Sequence, residues 1–146
     1  MSKKRLLAVL GSLLGLLLPV AVAAPAAAAP AVRIVKIHYK QTGTNLNTEY
    51  VVLKNTLNRS IHLSGWKLIS APSTDNQLYV FPATILGAGQ TLTVYTGTGT
   101  DSAHKRYWGA SGPRWNNDGD KALLRSTGGT LIDSCQYAGG GTTAYC

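Results

Sequence analysis

Trp115-Asn116-Asn117-Asp118-Gly119-Asp120, an oxygen-rich polar run, leads straight into the alternating Lys121-Ala122-Leu123-Leu124-Arg125. Asn, Asp and Gly tolerate the positive φ that a tight connection demands, so the first half reads as a polar turn. The second half alternates and reads as a strand opened by that turn.

Outward from this stretch the same pattern recurs. Val32–Tyr39, Glu49–Lys54, Ile61–Ile69, Leu78–Phe81, Thr91–Thr96, Lys121–Arg125 and Thr130–Tyr137 give about seven short strands. In the first of them strict alternation sets Val32, Ile34 and Lys36 on one face and Arg33, Val35, Ile37 and Tyr39 on the other. Turn signals separate the strands at Gly43 to Asn47, Asn55 to Arg59, Pro72 to Asn76, Gly87-Ala88-Gly89 and Gly128-Gly129. The connections are too short and polar for crossover helices, which predicts an all-β sandwich rather than alternating strands and helices. One Met and one Phe, set against many Val, Thr and Tyr, fit the same choice.

The N-terminal segment stands apart. Lys3-Lys4-Arg5, the apolar run Leu6 to Val22 and the small residues Ala21 to Ala29 have the three-part form of a secretory signal peptide. A Pro directly after the cut disfavours cleavage behind Ala24 or Ala29, which leaves Ala23 or Ala28 as better sites. The expected division is therefore a signal peptide over residues 1–28 and one domain over residues 29–146. An extracellular protein follows, with no membrane-spanning run in its mature part. Removing Lys3, Lys4 and Arg5 lowers the basic count from 14 to 11 against 6 acids, so the formal charge becomes about +5 rather than +8. Such a surface can recruit nucleic acid or anionic wall polymers, although its cations are scattered singly.

Both cysteines, Cys135 and Cys146, lie near the end, and an even count in an exported chain predicts a disulfide. The glycine-rich segment between them can close without strain. Two Cys with no neighbouring His do not make a zinc site.

Glu49-Tyr-Val-Val-Leu-Lys-Asn55, Leu63-Ser-Gly-Trp66-Lys-Leu68, Phe81-Pro82 leading to Leu86-Gly-Ala-Gly89, Asn116-Asn117 with Gly119-Asp120, Gly129 and Asp133 follow one another in a fixed order. In that order they resemble the lamin tail domain, from about Val32 to Tyr137. The resemblance implies an immunoglobulin-like β-sandwich of antiparallel strands serving as an interaction platform, here in a secreted bacterial member. The export signal argues against the nuclear role of the eukaryotic members, and without the rod of the lamins filament assembly is not expected.

Particular residues carry sharper expectations. Lys105, Arg106, Tyr107, Trp108, Arg114 and Trp115 alternate cations with aromatic rings, a pattern that suits stacking on bases or sugars. The competing reading is an aromatic loop folded onto the sandwich edge. Trp66 reads as a core anchor, and Glu49 as a carboxylate accepting hydrogen bonds from nearby backbone N–H groups. Asn116, Asp118 and Asp120 share an oxygen-rich turn, but the glycine spacing and missing terminal Glu of a calcium loop favour a hydrogen-bonded turn.

Chemistry is poorly provided for. His38, His62 and His104 lie far apart, with no zinc-protease spacing and no nucleophile elbow. The expectation is a monomeric, non-catalytic binding or structural module without cofactor or metal, acting through a protein or cell-envelope contact. The alternative is recognition of a polyanion or glycan, whether nucleic acid or polysaccharide, through residues 105–115.

Overall fold

In the strand β9 (Asp120–Arg125) that follows the polar run, Ala122 and Leu124 are fully buried, while Lys121, Leu123 and Arg125 remain partly exposed. The same alternation places its neighbours. The computed structural model describes residues 28–71 and 77–146. The expected signal peptide, all but its last residue, and the expected turn at Pro72 to Asn76 lie outside the described residues.

The remaining strands are β1 (Val32–His38), β2 (Tyr50–Asn55), β3 (Ile61–His62), β4 (Lys67–Ala71), β5 (Leu78–Val80), β6 (Ile85–Leu86), β7 (Thr91–Tyr95), β8 (Lys105–Tyr107), β10 (Leu131–Tyr137) and β11 (Thr143–Tyr145). They form a five-stranded sheet in the order β11-β1-β2-β7-β8, a four-stranded sheet in the order β10-β9-β4-β5, and a small ribbon of β3 with β6. The two larger sheets share one apolar core. Val32, Ile34, Ile37, Val51, Leu53, Leu92 and Val94 come from the first sheet, and Leu68, Tyr79, Ala122 and Leu124 from the second. This is an all-β, immunoglobulin-like sandwich, as the sequence predicts. No described helix is long and apolar enough to cross a membrane.

The structure departs from the sequence reading in several places, among them the unforeseen strand β6. Ile61–Ile69 is not one strand: β3 and β4 belong to different sheets, joined by a corner in which the Trp66 N–H donates to the Leu63 carbonyl at 2.9 Å. Gly65 makes that corner, because its φ of 77° is one a side chain rarely adopts. In β1 a bulge between Ile34 and Lys36 breaks the simple alternation, so Val32 and Ile34 share the buried face with Ile37 and Tyr39.

A further departure is β8, expected as loop, which pairs with β7 in parallel rather than antiparallel. Another is the chain end, where β11 crosses to the edge of the five-stranded sheet and pairs with β1. Cys135 on β10 is bonded to Cys146, with their Cα atoms 5.8 Å apart, so the bridge joins the edges of the two sheets. Beside it the Ile34 N–H, at the bulge, donates to Asp133 Oδ2 at 2.7 Å.

Candidate binding face

The segment from Lys105 to Trp115 is divided between interior and surface. Trp115 is 2 % exposed and packs edge-on against Trp108, with ring centroids 6.0 Å apart. Trp108 is partly buried and also leans on Tyr79, which meets Phe81 at 84°. Arg106 is buried: its Nε donates to Thr84 Oγ1 at 3.0 Å, its Nη1 donates to the carbonyls of Ser102 and Lys105, and Asp101 lies 3.7 Å away. Arg114 is half-buried. Of the six residues proposed as one platform, Trp115 and Arg106 face the interior, and only Lys105 is fully on the surface.

Glu49 holds the end of this segment. The carboxylate is 0 % exposed and accepts from the Arg114 N–H at 2.8 Å and the Trp115 N–H at 3.2 Å. That is the role the sequence assigns it. Burial pushes its pKa above the ordinary carboxylate value, against the opposing pull of the two backbone donors. The Thr96 hydroxyl is buried nearby without a hydrogen bond of proper geometry.

The turn at Asn116 to Asp120 is likewise closed on itself. Asp120 accepts from the Ser70 hydroxyl at 2.8 Å, the Asn116 N–H at 3.2 Å and the Lys121 N–H at 2.6 Å. A concavity of about 510 Å³ opens beside it, lined in part by Asp118, Gly119, Lys121 and Tyr137. Its one buried charge, Asp120, is thus already engaged by protein donors. Among the described residues, no group of three or more His, Cys, Asp or Glu could hold a metal ion.

The outer face of the five-stranded sheet is different. His38 pairs with Tyr50, Tyr50 with Tyr95, and Tyr95 with Tyr107 across β1, β2, β7 and β8. All four rings stand on the half-exposed side, opposite the buried Ile37, Val51 and Val94. Successive ring centroids are 5.2, 5.7 and 5.3 Å apart, and the first and last pairs are stacked. Gly99 lies so close to the Tyr107 ring that an added Cβ would collide with it.

A second row runs alongside: Tyr145, Lys36, Val52, Thr93 and Lys105 are cross-strand partners in that order. The Lys36 ammonium lies 5.2 Å from the Tyr50 ring centroid and 5.9 Å from that of Tyr145, which is 79 % exposed. Tyr50 beside it is the chief influence holding the Lys36 pKa above its ordinary value. Lys54, exposed, adds a third ammonium beyond this row.

Sequence reasoning missed this face because only strand pairing assembles it. The visible signal was a Tyr at an end of each of β2, β7 and β8, out of phase with the buried residues. Register then converts four scattered rings into one line.

The molecule thus combines a two-sheet sandwich with a hydrogen-bonded interior and an aromatic, basic outer face. The family model for the Lamin Tail Domain matches residues 25–139, and the chain belongs to that family of non-enzymatic, immunoglobulin-like domains. No individual curated protein matches it significantly.

Proposed function

We propose that the chain is a secreted bacterial lamin tail domain protein that binds a protein or cell-surface partner on the outer face of its five-stranded sheet. The observation that carries this reading is the four-ring row His38, Tyr50, Tyr95 and Tyr107, held in register across four strands. Tyr offers a broad contact area with few torsions to freeze, which suits a rigid docking surface. The N-terminal pattern and the Cys135–Cys146 bond support export.

The test is retention of purified protein on the isolated envelope of the producing cell. Tyr50→Ser with Tyr95→Ser should abolish retention, while Leu123→Ser on the outer face of the other sheet should leave it unchanged, each variant first being shown to fold by its melting curve. Undiminished retention of the folded double variant would remove the sheet face from the account.

A further inference from the structure

The five strands of this sheet contain no Asp or Glu, yet they carry Arg33, Lys36, Lys54, Lys105 and Arg106. Arg106 points inward. Arg33 lies at the margin, donating to the Cys146 carbonyl at 2.8 Å. The three lysines belong to the outer face. Asp101, beside β8, accepts from the Tyr107 N–H at 3.1 Å and lies 3.7 Å from Arg106. The four-stranded sheet includes Asp120 and Asp133, but Asp120 is buried and Asp133 accepts from the Ile34 N–H of β1 at 2.7 Å.

The geometry points to an extended anionic polysaccharide as the ligand of this face, a deeper reading that rests on the sheet-face function proposed above. Three features select that class. The first is charge: among the described residues Lys36, Lys54 and Lys105 form no ion pair, and such ammonium groups attract a polyanion and disfavour a basic partner. The second is the use of the rings. His38 stacks on Tyr50 at 11° and Tyr95 on Tyr107 at 20°, so each ring has one face against its neighbour, while Lys36 lies over Tyr50 and Gly99 against Tyr107. Side chains stand roughly perpendicular to a sheet, so the row turns ring edges and phenol hydroxyls outward.

A single-stranded nucleic acid held by base stacking needs open ring faces. A sugar polymer needs hydroxyl partners and apolar edges, and its carboxylates need ammonium groups. The third feature is length. Lys36 on β1 and Lys105 on β8 lie in one cross-strand row, three strand spacings or about 14 Å apart. A line of this kind fits several consecutive units of an extended chain rather than one small molecule.

The experiment titrates the purified protein with polygalacturonate, neutral dextran and poly(dT) at several salt concentrations. Polygalacturonate should bind, dextran should not, and poly(dT) should bind more weakly. Lys36→Gln, Lys54→Gln and Lys105→Gln should each weaken polygalacturonate binding by about two- to fivefold and together flatten its salt dependence. Lys67→Gln with Lys121→Gln, on the other sheet, should leave affinity unchanged.

Equal binding of dextran, tighter binding of poly(dT), or indifference to the triple lysine substitution would overturn the inference. If envelope retention requires Tyr50 and Tyr95 but polygalacturonate does not bind, the polysaccharide is wrong and the docking face stands. If retention is also independent of both tyrosines, the two readings fall together.

Discussion

Glu49 accepts two backbone hydrogen bonds from a position with no solvent access, and its ionisation state is therefore coupled to folding. Because its folded pKa is raised above the unfolded value of about 4.3, its protonated form is favoured by the fold. The associated stability is full below the unfolded pKa and is lost as pH rises through the raised folded value. Denaturant unfolding of wild type and Glu49→Gln from pH 4 to 7 should show the wild type losing part of its advantage as pH increases. A gap that widens with pH would contradict the assignment.

The two tryptophans of the same segment separate core from surface. Trp115→Ala should cost about 3–5 kcal/mol because it empties a fully enclosed site. Trp108→Ala should cost less, since that ring is only partly buried. Paired thermal melts check both, and equal losses would contradict the distinction.

Among the elements, the last strand depends most on a covalent link. β11 pairs with β1 over three residues, from Lys36 opposite Tyr145 to His38 opposite Thr143, and the Cys135–Cys146 bond ties its end to β10. Replacing both cysteines by Ser should cost about 2.8 kcal/mol in the chain-entropy model. Hydrogen exchange should then quicken at Thr143–Cys146 while β2, β7 and β9 keep their protection. Uniform acceleration across both sheets would contradict a local role.

Elements that alternate plainly, such as β2, β7 and β9, were legible in the sequence because a half-buried strand imposes a period of two. The Ile61–Ile69 run misleads because a glycine corner inside it moves the chain between sheets without interrupting the apolar pattern. The bulge in β1 misleads for a related reason, since one extra residue shifts which side chains face inward. β8 is too short to reveal a period, and its parallel partner is set by tertiary contact. Of the candidate site, Lys105 and Tyr107 were found from sequence, while His38, Tyr50 and Tyr95 became part of it only through register.

At the scale of the whole molecule, the sandwich presents two unlike outer faces. One bears the aromatic row with Lys36, Lys54 and Lys105; the other bears Lys67 and Lys121 among the aliphatic Ile69, Leu78 and Leu123. Both faces thus carry lysines, which makes each a reporter of its own sheet. On the function proposed above, the partner covers the five-stranded sheet. Amine acylation of the protein alone and bound to isolated envelope, read by mass spectrometry at each lysine, tests it most directly. Lys36, Lys54 and Lys105 should be protected several-fold with Lys67 and Lys121 labelled as in the free protein; protection confined to Lys67 and Lys121, or none at any of the five, would contradict docking on this sheet.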